Sequence, residues 1–390
     1  MMSPGLAEVI ASKRILVSVG AGGVGKTTVS AALALAGAAV GRKSLVLTID
    51  PARRLANALG LSEIGNEEKR IDDGVLARIN VTAARGLFAM MLDAKSTFDA
   101  VVAKHAPSRE VRDAILGNHL YRHVSDELSG SQSQMAMEKL LEVTRERDYD
   151  FVVLDTPPTA NALDFLEMPK KMVTIMESPV LRTFLRPILS GSKTSKRLLF
   201  GSSFILSRLA KSFTGMDMLQ DLAGYLVNFN AMFDGFRDRA ETVYRELKGG
   251  DVAFVIVMAP RANATDEALV LYRRLASEGM PVGAIVANRV HRPVDGEIDD
   301  GAIVRALQHA GALQTISRDS ITHLVKRLRD HRDDLNRLAA AERERIDDVR
   351  RAVGACPVVE VPARTEDVHD LVGLAEIRSA LIDSTPARSG

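Results

Sequence analysis

The chain has 390 residues, 46% apolar and 26% charged, with a formal net charge of +1. That is enough to build one large α/β domain or two domains, and the balanced charge provides no field that would draw in nucleic acid. Aromatics make up 4% with no Trp, which argues against a stacking platform for single strands. Cys356 is the only cysteine, so zinc clips of the C-x-x-C kind and iron–sulfur ligand sets are not expected.

The first strand, RILVSV (14–19), runs straight into GAGGVGKTT, Gly20 to Thr28. Two phosphate-binding patterns overlap there. Gly20, Gly22 and Gly25 fit the dinucleotide fingerprint G-x-G-x-x-G, while Gly20, Gly25, Lys26 and Thr27 fit the triphosphate loop G-x-x-x-x-G-K-T. The next strand, SLVLTI (44–49), ends at Asp50, about where a dinucleotide fold places its ribose-binding acid, so Asp50 does not separate the two. Lys26 and Thr27 do. They have no role in the dinucleotide fingerprint, whereas a triphosphate loop needs both. Backbone N–H groups from Gly22, Gly23, Val24, Gly25 and Lys26 wrap the phosphates, the Lys26 ammonium bridges β- and γ-oxygens, and the Thr27 hydroxyl binds Mg²⁺. The helix that follows adds its N-terminal dipole.

Between 50 and 150 the chain is too long for a simple crossover. Residues 87–106 and 132–148 read as helical. His119 and His123 lie four apart near Asp126 and Glu127, a metal-ligand spacing that surface helices also produce. FVVLDTPP (151–158) is an apolar strand ending in Asp155, a carboxylate placed for the Mg²⁺ shell, and it decides for the triphosphate reading.

VTIM (173–176) is a further candidate strand, followed by a second long helical stretch. Within it, 178–216 carries seven Lys or Arg and no acid, with apolar residues that fall on helical faces. Three readings stay open: a subdomain core with a solvated basic rim, a groove for an apolar client helix, and a basic amphipathic membrane anchor. The remaining strands are VAFVIVM (252–258), VGAIVAN (282–288) and PVVEV (357–361). A long helix over 319–353, either a coiled coil or a crossover packed on the sheet, separates the last two.

Apolar strands alternating with helices predict a doubly wound, mostly parallel α/β sheet with a helical subdomain formed by insertions. The expected divisions are core at 1–85, helical insertion at 86–148, core at 149–177, a second helical insertion at 178–248, and core at 249–390. No apolar leader and no stretch of about 18 apolar residues is seen. A cytoplasmic protein is expected, with peripheral membrane attachment left open.

Together the motifs resemble those of the arsenite-pump and tail-anchored-protein-targeting ATPases, which carry a deviant Walker-A loop. The resemblance rests on Gly22 to Thr28, then Asp50-Pro51-Ala52, then Asp155-Thr156-Pro157-Pro158-Thr159. Asn288 in VANRV and Pro362 in VEVPARTEDV match two further elements, which in that family flank adenine. The resemblance implies a nucleotide-gated dimer that binds ATP or ADP with Mg²⁺. It implies that Asp50 orients the attacking water and that Asp155 to Thr159 form a second switch. It also implies a hydrophobic protein client or membrane partner. Three departures stand out. Ala21 replaces the family's signature lysine, which reaches into the partner subunit. Ala160-Asn161 replaces Gly-His. Cys356 alone supports neither a zinc-joined dimer nor a metalloid site. A paralogous ATPase carrying the lysine would supply it in trans, so homodimer and heterodimer are both open.

Overall fold

The computed structural model describes residues 5–49, 54–118, 129–156, 232, 235–296, 299–309 and 318–383. Its centre is an eight-stranded sheet: β1 (Ile15–Val19), β2 (Ser44–Thr48), β3 (Lys69–Arg70), β4 (Leu87–Met91), β5 (Phe151–Asp155), β6 (Val252–Met258), β7 (Val282–Val290) and β8 (Val358–Pro362). The order is β3-β4-β2-β5-β1-β6-β7-β8, and every pairing is parallel except the edge strand β3 on β4. The doubly wound, mostly parallel architecture expected from the sequence is therefore present.

Every residue of β1, β2, β5 and β6 is buried, as their unbroken apolar runs require of strands covered on both faces. In β1, Ile15, Val17 and Val19 enter the core on one face and Leu16 the core on the other. The Leu16 side is covered by α1 (Leu6–Ser12), α2 (Lys26–Ala39) and the last helix (Leu371–Asp383). Helix α2 is buried from Val29 to Ala38. It lies so close to the sheet that a Cβ on Gly37 would come within 2.3 Å of Phe151 Cδ1.

The opposite face is covered by helical segments at Ala94–His105, Ser129–Glu146, 235–247 and Ala262–Ser277, and by the second half of Arg318–Val353. Residues 87–106 are not helical throughout, as the sequence suggested. Residues 87–91 form β4, paired with β2, and the helix starts only after Asp93, whose carboxylate accepts the Ser96 N–H at 2.6 Å. Burial of Leu87, Ala89 and Met90 in the sheet overrides the helix preference of Leu, Ala and Met.

The helix expected at 319–353 spans Arg318–Val353. Its last turns are the crossover: Ala339, Ile346, Val349 and Val353 are buried, and Arg343 and Arg350 pair with Glu360 on β8. Ahead of that buried stretch, Leu324, Leu328 and Leu338 are exposed. Cys356, just before β8, is half-buried against the core. VTIM, the segment 178–216, and His119, His123, Asp126 and Glu127 lie outside the described residues. Among the described residues no helix is long and apolar enough to cross a membrane.

Candidate functional site

Strand β1 ends in the glycine loop, and three of the loop's glycines, Gly20, Gly23 and Gly25, have positive φ of 153°, 75° and 91°. Two of these positions also have no room for a side chain. A Cβ on Gly20 would lie 2.0 Å from the Val257 carbonyl oxygen, and one on Gly25 would lie 2.3 Å from Asn288 Nδ2. Gly25 caps α2 in the left-handed conformation, which leaves the first N–H groups of the helix as donors. Asn288, near the end of β7, donates from Nδ2 to the Val24 carbonyl oxygen at 2.8 Å and so buttresses the loop from behind. The Lys26 side chain is buried, its Nζ donating to the Ala21 carbonyl oxygen at 2.8 Å.

Asp155 ends β5, 1% exposed. Its register partners are Ser18 on β1 and Thr48 on β2. Thr48 Oγ1 donates to Oδ2 at 2.9 Å, and Ser30 Oγ, one helical turn after Thr27, reaches Oδ1 at 3.4 Å. The Ser18 hydroxyl, beside them, is buried without a hydrogen-bond partner among the described residues. Thr156 is pinned to β1 by two bonds to the Ser18 carbonyl oxygen, 2.7 Å from Oγ1 and 3.3 Å from N.

A cleft of about 660 Å³ opens over the loop at the C-terminal ends of the strands, where doubly wound sheets bind their ligands. Gly23, Gly25, Lys26, Thr27, Thr28 and Thr156 line it, as do Asn288 and Pro362. The fold thus brings together residues that lie far apart in the sequence. Gly22 is exposed on the loop, and Val24 is buried beneath it. Asp50, Pro157, Pro158 and Thr159 lie outside the described residues.

The cleft wall also contains residues that no motif marked. Arg54 and Asn57 come from the short helix Arg54–Ala58, and Arg261 follows β6. Arg289 sits at a bulge in the β7–β8 pairing with φ of +63° and lies 3.6 Å from Asp367. Arg364 pairs with Glu376. His291 and Glu342 also line the cleft. Glu342 is 4% exposed and accepts the His291 backbone N–H at 2.8 Å, with His291 Nδ1 at 2.9 Å from its other oxygen. The cations outnumber the acids around the loop, which suits an anionic ligand.

The donor set fits a magnesium phosphate. Thr27 lies in the cleft wall, and a buried carboxylate oriented by two hydroxyl groups stands behind the loop. Both are hard oxygen ligands, and the glycine loop ahead of α2 provides backbone N–H donors, held in its turn by positions where a Cβ would strike Val257 or Asn288.

The family model described as anion-transporting ATPase matches residues 13–315. The ATPase get3 of Aspergillus terreus (strain NIH 2624 / FGSC A1156) is 26% identical over 320 residues, covering 81% of this chain and 85% of the relative. The ATPase ASNA1 homolog of Babesia bovis is 24% identical over 340 residues, 85% of this chain and 80% of the relative. A putative arsenical pump-driving ATPase 1 of Aquifex aeolicus (strain VF5) is 25% identical over 288 residues, 71% and 63% respectively.

Proposed function

The chain belongs to the anion-transporting ATPase family and is an ATPase, and on that premise we propose that it is a Mg²⁺-dependent, nucleotide-gated dimer that handles a hydrophobic protein or a membrane partner. The observation that carries the reading is the convergence of Lys26, Thr27, Thr156, Asn288 and Pro362 on one cleft, with buried Asp155 behind the loop. In this proposal the Gly22 to Lys26 amides and the Lys26 ammonium hold the phosphates, and Thr28 extends the cradle. Asn288 and Pro362 flank the base.

Bound Mg²⁺ would neutralise charge building up on the phosphate oxygens. Thr27 is the direct ligand in this reading, and Asp155 acts through a water that its Ser30 and Thr48 bonds help to position. Asp50 orients the attacking water. In the sequence Asp50 comes two residues after β2, the neighbour of β5, and that order suits the proposed role. Asp155, Thr156, Pro157, Pro158 and Thr159 form the switch. Thr156 is already tied to β1, next to the loop, so a change at the phosphates has a short route into that segment. Segment 178–216 is the proposed contact for a client or membrane, and the location is cytoplasmic, with peripheral attachment to a membrane where that contact is made.

Ala21 favours a second reading. A loop that holds nucleotide but lacks the cross-subunit lysine suits a weakly hydrolysing subunit paired with a paralogous ATPase that supplies it. Native mass spectrometry with Mg-ATP, combined with a turnover assay, tests both. A homodimer carrying two nucleotides with full turnover supports the first reading and sinks the second. A monomer that binds no nucleotide overturns both.

A further inference from the structure

The long helix Arg318–Val353 carries an apolar stripe that the catalytic reading does not use. Ile321, Leu324, Leu328, Leu335 and Leu338, with the exposed His331 as the one polar member, follow alternating three- and four-residue steps, the a/d spacing of a coiled-coil seam. Leu324, Leu328 and Leu338 are 36%, 40% and 43% exposed, and they are the only exposed leucines among the described residues. One flank of the stripe is held by the chain itself. Val325 and Ala339 are buried, Asn336 Oδ1 accepts the Val294 N–H at 2.7 Å, and Arg332 donates to the Gly296 carbonyl oxygen at 3.2 Å. The other flank, with Arg327 and Asp334, is exposed.

We propose that this stripe is a homotypic seam, on which the same helix of a second copy lies antiparallel about a two-fold axis between residues 329 and 330. In that register Ile321 faces Leu338 of the second copy, Leu324 faces Leu335 and Leu328 faces His331, so every layer sets an a position against a d position. The flanking charges select this direction. Arg327 meets Asp334 of the second copy, and symmetry makes the contact twice. A parallel, in-register pair would instead set Arg327 against Arg332 and stack His331 on itself. Asp334 has an exposed partner in its own helix, Arg337, and such a surface pair holds weakly enough to be shared.

The placement also suits the cleft. Glu342, the next position along the stripe, is buried at the cleft wall on His291. The proposed axis lies about twelve residues beyond it, roughly 18 Å along the helix. Two copies facing cleft to cleft would therefore pass their helices antiparallel across a single axis. This last point rests on the dimer proposed above, whereas the seam itself does not.

The test uses the full chain in a Cys356→Ser background without nucleotide. The double variant Leu324→Cys/Leu335→Cys is expected to give a disulfide-linked dimer on mild oxidation, and each single variant is expected to give none. Crosslinking of Leu324→Cys alone would mean a parallel pair and overturn the proposal, as would no crosslinking in the double variant. Independently, Arg327→Glu should weaken self-association by about tenfold or more in sedimentation, since two like-charge contacts replace two ion pairs. Arg327→Glu/Asp334→Arg should restore it, and failure of that rescue counts against the seam. Lys26→Ala should leave the double-cysteine crosslink intact while losing nucleotide, which separates failure of the seam from failure of the catalytic reading.

Discussion

Asn288 and Val24 are 264 residues apart in the chain and 2.8 Å apart in the fold, the side-chain amide of one donating to the carbonyl oxygen of the other. The phosphate loop is thus braced by β7 as well as by the strand that leads into it. Asn288→Ala leaves the buried Val24 carbonyl unpaired, an expected cost of about 1–3 kcal/mol. It should lower the melting temperature and weaken nucleotide binding together, measured by thermal shift with and without Mg-ATP.

Gly25→Ala makes the same contact fail from the other side, because the new Cβ lands on Asn288 Nδ2. Nucleotide binding should be lost. Gly25→Ala/Asn288→Ala removes the clash but keeps a non-glycine residue at φ of +91°, so recovery should be partial. Full recovery would show that the clash alone mattered.

Lys26→Ala removes a charge-assisted donor, worth about 1.5–3 kcal/mol. That is about 10- to 150-fold in nucleotide affinity, readable by isothermal titration. Asp50→Asn should abolish turnover while Mg-ATP stays bound, and wild-type-like hydrolysis in that variant would remove Asp50 from the mechanism. Ala21→Lys tests the missing lysine. If cross-subunit charge limits turnover, kcat should rise with little change in KM.

Burial pushes the Cys356 thiol up to about 11. The folded chain keeps that proton where an unfolded chain has lost it, so the thiol favours folding below about pH 8.5. The contribution fades as pH rises toward 11. Alkylation in the native state at pH 8 should be roughly two hundredfold slower than for a free cysteine, because the thiolate is the reacting form. Denaturation should abolish the difference.

Glu342→Ala strips the His291 N–H of its acceptor inside the cleft wall. A loss of about 1–3 kcal/mol in stability is expected by denaturant titration, and Glu342→Gln, which keeps an acceptor, should lose less.

The glycine loop, the strands at 151–155 and 252–258, and the long helix were legible because each is a strong local signal: a fixed motif, an unbroken β-branched run, or a sustained period. Strand β4 was not, because LFAMM has helix-forming residues and only its place beside β2 makes it a strand. The two-residue β3 leaves no pattern at all. Arg54, Arg261, His291 and Glu342 reach the cleft singly from separate elements, so no spacing could reveal them. One signal was available for some. Arg261, His291 and Arg364 each follow the C-terminal end of a strand by a few residues, and that edge is where doubly wound sheets place their ligands.

The strand order also bears on the sequence of events during synthesis. β1 and β2 are not neighbours; β5 lies between them, and β6 closes the other edge of β1. The strand carrying the phosphate loop therefore emerges with both edges unpaired. The first edge is satisfied only when residues 151–155 arrive, and the second only with 252–258. Such long-range parallel pairing closes slowly, so a nascent chain carries exposed apolar strand edges until much of it has been translated. The same centrality that fixes the loop once folded leaves its strand waiting longest for partners while the protein is being made.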